Sequence, residues 1–364
     1  MRVVLLVTDL ERGGTPLRLA RLARGLRGVG VDVHVGCLAP TGPVSADLAT
    51  TGIPTFACQA RNAYDWTALQ RLSRHVERIR PDLIHATLTH ANVAARLIGA
   101  YHRIPVLTST ATIEVERHWH RWAELLTARL DRGHIVNSIT LAEHVVRSFR
   151  LPRQHVSIVP PCIEHPPLAA DRARLRADFE LPEHEFVVLW AGRFDPVKRL
   201  PLVLDCAEIM DTTRFLLAGD GPERARITQA LRLSSAARTT QLLGWRDDLP
   251  QLMAAADALL FPSRTEGMPN VVLQAMAAGL PIVASDIPTL RELAGANERM
   301  LLVAGDEPRP FADALIFLQH SHDYRHQLAR RAAVWAAEHL NPARTLEAIL
   351  RIYRRVLRAR RCRQ

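Results

Sequence analysis

Residues 256–284 read ADALLFPSRTEGMPNVVLQAMAAGLPIVA, and the order of segments in this stretch decides the fold. An apolar run is followed by a loop with proline and glycine, then by a helical pattern, and finally by a second apolar run. Two buried strands that are joined through a helix form a parallel pair, because parallel strands need a long crossover connection. The stretch therefore predicts a parallel sheet with helices packed on it.

The same alternation of strands and helices continues on both sides of this stretch. Helical patterns lie between the strands, for example at 66–79 and 141–149. Strands are predicted at 2–8, 31–38, 53–58, 83–85, 104–108, 134–136, 156–159, 186–190, 215–218, 241–243, 258–261, 282–284 and 300–303. We therefore expect an α/β protein with two doubly wound, Rossmann-like parallel-sheet domains. Ligands of such sheets bind beyond the carboxyl ends of the strands, which predicts a ligand site in a central cleft between the two domains.

Length and proline content predict the domain boundaries. A chain of 364 residues is long enough for about two domains. Four prolines within 160–167 are typical of a linker, so we expect domains at 1–166 and 167–345. The remaining residues, 346–364, continue a helical pattern that starts at Pro342. One face of this last helix is apolar and consists of Leu346, Ile349, Leu350, Tyr353 and Leu357.

The composition excludes several classes of protein. With 48% hydrophobic residues the chain can bury a full core, which excludes a disordered protein. Five widely separated cysteines exclude a disulfide scaffold and argue against a structural zinc site. No apolar run is long enough to span a bilayer. We therefore expect a cytoplasmic protein, with peripheral attachment to the inner face of the membrane as an open alternative.

The net charge of +10 is unevenly distributed along the chain. Residues 1–166 carry +7, residues 167–350 carry −4 and residues 351–364 carry +7, with histidine counted as neutral. One explanation is the arginine usage of a GC-rich genome, since Lys198 is the only lysine of the chain. The other explanation is an anionic partner that meets the first half and the tail.

The segment 190–199, WAGRFDPVKR, contains the first candidate site. Its strand is predicted to end at Trp190, and Gly192, Arg193 and Lys198 follow in a loop before a helix. A guanidinium and an ammonium at the carboxyl end of a strand suit a diphosphate. The single lysine of the chain also lies here, which is consistent with a need for a compact charge on a phosphate.

A second candidate site lies in the loop and helix of 261–274. Exposed N–H groups at a helix start can bind a phosphate, and Glu266 lies in the loop just before that start. A carboxylate in this place suits the hydroxyl groups of a sugar that is attached to the diphosphate, although an ordinary acid at a helix start is the alternative. The residues expected to bind this diphosphate-linked sugar are Gly267, Met268, Pro269, Asn270, Val271 and Gln274.

A third candidate is the pair Gly13 and Gly14 after the first strand, where a tight turn allows the backbone to approach an anion. Together these segments resemble the retaining glycosyltransferases of family 4, which have the GT-B fold. The resemblance implies that Arg193 and Lys198 bind the donor diphosphate and that Glu266 contacts the donor sugar and is critical for transfer. It also implies an acceptor-side first domain, a second domain that binds the nucleotide sugar, and a basic final helix that packs back on the first domain.

The resemblance extends to further residues of the donor site. It implies that Gly13 and Gly14 approach the donor phosphate, and that Trp245 follows the strand whose loop frames the nucleotide base. The family has a Glu-x7-Glu motif, and its second glutamate, which holds the ribose, is Gln274 here. A charge-assisted hydrogen bond contributes about 1.5–3 kcal/mol against about 0.5–1.5 kcal/mol for a neutral one, so we expect this change to cost about tenfold in donor affinity.

The acceptor side departs from the family pattern as well. Relatives often carry His-x-His after the strand at 83–85, but Thr87 takes the place of the second histidine. His90 is the candidate substitute, and Thr110 is a further acceptor-side candidate.

No Asp-x-Asp motif is present in the sequence, and Arg193, Lys198 and the helix amides can replace a metal ion. We therefore expect no metal and no cofactor. The donor substrate is expected to be a UDP- or GDP-sugar. The resemblance implies transfer with retention, in which a donor phosphate oxygen accepts the proton of the acceptor.

The helical segment 115–126 carries Val115, Trp119, Trp122 and Leu126 on one stripe. A core-facing helix is the favoured interpretation, and a helix at a membrane interface is the alternative. The expected partners are a nucleotide sugar, a glycan or lipid-linked acceptor and, on the basic side, an anionic membrane surface. Nucleic acid is not expected, because the chain lacks a recognition motif and an aromatic platform.

The sequence leaves three functions open. The first is a metal-independent retaining glycosyltransferase that moves a sugar from a nucleotide-diphosphate donor to a hydroxyl acceptor. The second is a non-catalytic protein that binds sugar nucleotides, an alternative that the missing charge at Gln274 leaves open. The third is a GT-B nucleotide-sugar epimerase, which would release nucleotide without an acceptor.

Overall fold

The computed structural model describes residues 1–62, 65–112, 118–163 and 171–361. The chain forms two compact units. Unit 1 comprises Met1–Pro161 together with Pro342–Gln364, and unit 2 comprises Cys162–Asn341. The expected boundaries at 166/167 and 345/346 lie a few residues further along the chain than these.

Unit 1 is built on a parallel sheet of seven strands in the order β3-β2-β1-β4-β5-β6-β7. The strands are β1 (Arg2–Val7), β2 (Asp32–Cys37), β3 (Thr55–Ala57), β4 (Leu83–Thr87), β5 (Val106–Thr110), β6 (His134–Val136) and β7 (Val156–Ile158). The helices that precede the linker are α1 (Gly14–Gly28), α2 (Pro43–Thr50), α3 (Trp66–Ile79), α4 (Thr89–His102), α5 (His118–Thr127) and α6 (Ile139–Ser148). The last five residues of β1 are fully buried, which explains why this strand is a continuous apolar run.

Unit 2 repeats the same topology with six strands in the order β10-β9-β8-β11-β12-β13. The strands are β8 (Val187–Ala191), β9 (Arg214–Ala218), β10 (Thr240–Gly244), β11 (Ala258–Phe261), β12 (Ile282–Ser285) and β13 (Leu301–Val303). The helices are α7 (Arg172–Asp178), α8 (Leu200–Ile209), α9 (Arg224–Leu233), α10 (Leu249–Ala255), α11 (Asn270–Ala277), α12 (Pro288–Ala294), α13 (Pro308–His320) and α14 (His322–His339). The prediction of two doubly wound parallel-sheet domains is confirmed.

The chain returns to unit 1 through its last helix, α15 (Pro342–Arg361). Ile349, Ile352 and Val356 are buried in the core that also contains β1 and α1. Tyr353 is fully buried, and its hydroxyl lies 2.7 Å from Nδ1 of His85 on β4. The apolar face of α15 is therefore part of the core of unit 1. Throughout the four described ranges, no helix has the length and apolar character needed to cross a bilayer.

Candidate functional site

Two loops meet at the point where the strand order of unit 2 reverses, between β8 and β11. The loop after β8 includes a 3-10 turn at Pro196–Lys198, and the Asp195 carboxylate accepts a hydrogen bond from the Val197 N–H at 3.3 Å. The N–H of Arg264, in the loop after β11, donates to the Val197 carbonyl at 2.9 Å. Ligands of doubly wound sheets bind at this switch point. The two loops, which were predicted as separate candidates, therefore form one candidate site.

Lys198 and Glu266 are in direct contact in this site. The Lys198 Nζ donates to the Glu266 Oε1, and the two side chains are 19% and 11% exposed. Nζ also lies 5.5 Å from the ring centroid of Phe261, the last residue of β11. The Thr289 hydroxyl donates to the Glu266 carbonyl at 3.3 Å, which fixes the loop beneath the carboxylate. The arrangement presents a hydrogen-bond donor and an acceptor side by side at the edge of the sheet.

Arg193 is on the same loop as Lys198 but has a different environment. Its side chain is 71% exposed, and its Nε lies 4.0 Å from the Asp195 carboxylate. Such an exposed pair contributes little in water, so the guanidinium can turn toward a phosphate at small cost. The structure therefore brings Lys198 and Glu266 together and leaves Arg193 extended at the rim.

The loops after β8 and β9 approach each other backbone to backbone. The Gly192 N–H donates to the Ala218 carbonyl at 3.0 Å, and Gly219 adopts φ +147°. A Cβ on Gly219 would lie 1.8 Å from the Gly192 carbonyl oxygen, and one on Gly221 would lie 2.6 Å from the Phe194 carbonyl oxygen. Glycine is required at 219 and 221 by this packing, which positions the loop that carries Arg193.

Helix α11, which follows Glu266, begins at Asn270. Pro269 is its N-cap residue, and the proline ring has no group that can cap the helix. Gly267, Met268 and Pro269 are buried, whereas Asn270 and Gln274 are partly exposed. Because Asn270 and Gln274 are four residues apart, they share one face of α11, and Val271 packs against the core of unit 2.

The remaining donor-site candidates lie further from this loop in the chain. Trp245 follows β10, is 41% exposed and donates from Nε1 to the Asp247 carboxylate at 3.0 Å. Gly13 and Gly14 belong to unit 1, where Gly13 is the N-cap residue of α1 and Gly14 is its first residue. The predicted donor residues are therefore divided between the two units.

The acceptor-side candidates belong to unit 1. His90 is in the first turn of α4, and its ring packs edge-on against Trp119 and His120 with centroids 5.0 Å and 4.9 Å away. Thr110 ends β5, and its hydroxyl lies 2.9 Å from Nε2 of His134. Burial lowers the pKa of His134 to about 3, so this imidazole is neutral at physiological pH and holds the Thr110 hydroxyl by an uncharged hydrogen bond.

Sequence reasoning missed a buried ion network next to these residues. Arg96 of α4 has no exposed surface, and its guanidinium lies 2.5 Å from the Glu124 carboxylate and 2.8 Å from the Asp131 carboxylate. The Thr108 hydroxyl donates to the same Asp131 oxygen at 2.6 Å. The network joins α4, α5 and β5. The sequence feature that could have indicated this network is the single arginine among the mostly small or apolar residues of 91–100.

Sequence reasoning also missed a cavity in unit 1. It has a volume of about 450 Å³ and lies at the carboxyl ends of β1 and β2, against α3, α4 and α5. Most of its lining is apolar and includes Leu38, Trp66, Leu69, Val93, Leu97 and Trp119. His90 and Thr8 are among its few polar lining residues. This cavity is separate from the Lys198 and Glu266 site, which belongs to unit 2.

The favoured interpretation of 115–126 as a core-facing helix was wrong. Trp122 and Leu126 of the predicted apolar stripe are 64% and 77% exposed. The buried face of α5 instead carries Glu124 and His120, because Arg96 draws Glu124 into the interior. Val115 lies outside the described residues.

A metal ion is usually held by several histidine, cysteine or acidic side chains, and this requirement can be applied to the residues that the structure describes. No group of three or more histidine, cysteine or acidic side chains is placed to hold a metal ion in that part of the chain. The charged groups at the described switch point include Lys198, Glu266 and Arg193.

Two family profiles match the chain. The profile described as "Glycosyltransferase Family 4" matches residues 12–165, and the profile "Glycosyl transferases group 1" matches residues 185–321. D-inositol 3-phosphate glycosyltransferase of Nocardia farcinica is 31% identical over 244 residues, and the match covers 63% of this chain but only 53% of that protein. The protein of the same description from Frankia alni is 24% identical over 402 residues, with 95% of both chains covered.

Solved structures show the same fold. HepE of Anabaena, solved in complex with UDP, has a TM-score of 0.86 at 20% identity, with 97% of this chain and 99% of that chain covered. Sucrose-phosphate synthase of Thermosynechococcus elongatus has a TM-score of 0.82 at 18% identity, with 99% and 100% covered. At these identities the likeness shows the fold alone.

Proposed function

The chain belongs to the family 4 glycosyltransferases of the GT-B fold, and on that premise we propose that it transfers a sugar from a nucleotide-diphosphate donor to a hydroxyl acceptor, with retention and without a metal ion. The observation that carries this proposal is the contact between Lys198 and Glu266 at the switch point of unit 2. A cation for the diphosphate and a carboxylate for sugar hydroxyls lie within one hydrogen bond of each other. The sugar of such a donor is attached directly to its diphosphate, so one ligand can contact both groups.

The donor is proposed to be a UDP-sugar. HepE of Anabaena, which shares the fold, was solved with UDP and with UDP-glucose. In this chain, Lys198 and Arg193 would neutralise the diphosphate, and Gln274 would bond the ribose through its amide. Glu266 would hold the donor sugar, and Trp245 would lie near the base. A GDP-sugar is the alternative donor.

The chemistry proposed for the site is electrostatic. Fixed positive groups next to the β-phosphate stabilise the negative charge that develops as the glycosidic bond breaks. Lys198 and Arg193 supply such groups from the loop after β8. Glu266 orients the sugar, and an oxygen of the departing phosphate accepts the proton of the acceptor hydroxyl on the same face. The anomeric configuration is then retained without a protein nucleophile.

The acceptor is proposed to be an anionic or lipid-linked sugar. The basic charge of 1–166 and of 351–364 supports this, because both segments belong largely to unit 1. The named relatives in Nocardia and Frankia act on D-inositol 3-phosphate, which is also anionic. The same charge distribution supports peripheral attachment to the anionic inner face of a membrane.

A turnover assay with a panel of UDP- and GDP-sugars tests this function. The wild-type protein, treated with a chelator, is incubated with each donor with and without a sugar-phosphate acceptor. We expect nucleotide release that depends on the acceptor and a product with the donor's anomeric configuration by NMR. Thermal stabilisation by UDP without any release would instead indicate a binding protein. Acceptor-independent release would indicate an epimerase, and loss of turnover on chelation would contradict metal independence.

A further inference from the structure

Helix α5 buries two polar side chains and exposes two large apolar ones. Glu124 has no exposed surface and His120 is 5% exposed, whereas Trp122 and Leu126 are 64% and 77% exposed. A surface helix of a water-soluble domain normally has the opposite distribution. Since the Arg96 ion pair fixes the buried face, the outward apolar face is a stable property of the fold.

The neighbouring elements extend this apolar surface. Leu97 and Tyr101 are four residues apart on α4, which packs against α5, and they are 38% and 76% exposed. Trp119 at the start of α5 and Leu130 just after it add further exposed area, at 38% and 45%. We call the resulting surface the aromatic face, and it consists of Leu97, Tyr101, Trp119, Trp122, Leu126 and Leu130. Clusters of this kind on a single protein surface mark a binding site.

Arginines dominate the exposed charges on the described parts of α4, α5 and the turn after α5, while the exposed carboxylate of Glu77 on α3 lies 3.9 Å from His102, next to Tyr101. Arg103, Arg121, Arg129 and Arg132 are exposed. Between residues 89 and 132, the described carboxylates are Glu124 and Asp131, and both are buried against Arg96. The two glutamates at 114 and 116 lie outside the described residues. An apolar surface with a rim of arginines is complementary to an anionic lipid bilayer, in which tryptophan and leucine enter the interface and arginine meets phosphates.

The cavity of unit 1 opens beside the same surface. Leu97 and Trp119 belong to both the aromatic face and the cavity lining. The cavity then continues inward to Thr8 and Leu38, at the carboxyl ends of β1 and β2. A mostly apolar cavity, whose lining also includes Arg61 and Asp65, therefore connects the aromatic face with the edge of the sheet where a ligand is expected.

We propose that the aromatic face docks unit 1 on an anionic lipid bilayer. This inference rests on the proposed membrane attachment and assigns it to a surface other than the basic tail. The exposed side of α15 carries Arg354 and Arg358, but the apolar side of α15 is buried in the core around Tyr353. The described part of the tail therefore contributes mainly electrostatic attraction, while α4 and α5 supply apolar area as well.

Vesicle flotation with the full chain tests the proposal. The vesicles contain phosphatidylcholine alone, or phosphatidylcholine and phosphatidylglycerol in equal amounts. We expect the wild-type protein to float with the anionic vesicles, and the double variant Trp122→Gln/Leu126→Gln to bind them at least about tenfold more weakly. The matched control is Leu233→Gln in unit 2, which also replaces a highly exposed leucine (83% exposed) and should bind like the wild type.

Two further variants separate charge from apolar contact. Arg121→Gln/Arg129→Gln should weaken binding to anionic vesicles, and added salt should have less effect on it than on the wild type. If Arg354→Gln/Arg358→Gln abolishes binding while the Trp122/Leu126 variant floats normally, the tail is the docking surface and the inference fails. It also fails if the wild type stays unbound, or if light scattering shows that the Trp122/Leu126 variant has turned a dimer into a monomer.

The result of the flotation experiment does not depend on catalysis. All face variants should keep the thermal midpoint and the UDP-induced stabilisation of the wild type, because Trp122 and Leu126 are exposed and lie in unit 1. A protein that floats but shows no donor turnover would leave the docking surface intact and overturn the proposed transfer. A protein that transfers sugar but does not float would overturn the docking surface alone.

Discussion

Replacing Gly219 with alanine tests whether the close approach of the loops after β8 and β9 builds the donor site. Gly219 has φ +147°, a conformation that only glycine adopts readily, and strain of this kind costs about 1–3 kcal/mol. The added Cβ would also lie 1.8 Å from the Gly192 carbonyl oxygen, which is backbone and cannot rotate away. Overpacking of that type costs about 1–3 kcal/mol more.

The matched control is Gly305→Ala. Gly305 also has a positive φ, +89°, but nothing lies within 4 Å of the position of its Cβ. Gly305→Ala should therefore lose about 1–3 kcal/mol of unfolding free energy from strain alone, and Gly219→Ala should lose about 2–6 kcal/mol. Urea unfolding measures both, and UDP-induced stabilisation should fall only for Gly219→Ala, since its loop carries Arg193. Equal losses for the two variants, with UDP stabilisation intact, would refute the reasoning.

Three other changes test separate parts of the molecule. Arg96→Met leaves the buried carboxylates of Glu124 and Asp131 without their cation and should lower the unfolding free energy by about 3–5 kcal/mol in urea; a loss below about 1 kcal/mol would contradict the buried network. Burial lowers the pKa of His85 to about 4 and that of His134 to about 3, so both stay neutral in the fold while the unfolded chain gains protons below about pH 6.5. The contribution of these histidines to the free energy of unfolding should therefore be fully present above about pH 6.5 and should fall by about 2 kcal/mol per histidine at about pH 5. Thermal melts that do not change over this range would contradict the burial of the two neutral imidazoles. Gln274→Glu should tighten UDP binding about tenfold by calorimetry if the side chain faces the ribose, and unchanged affinity would place the ribose elsewhere.

The fold could be predicted because its main signal is local. Strands that are buried on both faces appear as apolar runs such as residues 2–8 and 258–261, and the helices between them force parallel pairing. The loop that carries Lys198 and the loop that carries Glu266 each follow such a strand. Their meeting at the switch point therefore follows from the topology.

What could not be predicted depends on contacts between distant segments. Helical spacing shows that Trp119, Trp122 and Leu126 share a stripe, but it does not tell which stripe of α5 faces inward. Arg96, which lies 28 residues before Glu124 in the chain, decides which stripe of α5 faces inward, because a buried guanidinium needs a carboxylate partner. The need for glycine at 219 likewise arises from the Gly192 carbonyl oxygen on a different loop.

At the switch point of unit 2, the Glu266 carboxylate is assigned to the donor sugar and the Lys198 ammonium to the donor diphosphate. The most direct measurement compares donor turnover and UDP affinity in Glu266→Gln, in Lys198→Met and in the exposed control Glu183→Gln. We expect Glu266→Gln to lose at least about a hundredfold in kcat with UDP affinity nearly unchanged. Lys198→Met should lose about ten- to a hundredfold in UDP affinity, and Glu183→Gln should match the wild type. Wild-type turnover by Glu266→Gln, or unchanged UDP affinity in Lys198→Met, would contradict the assignment.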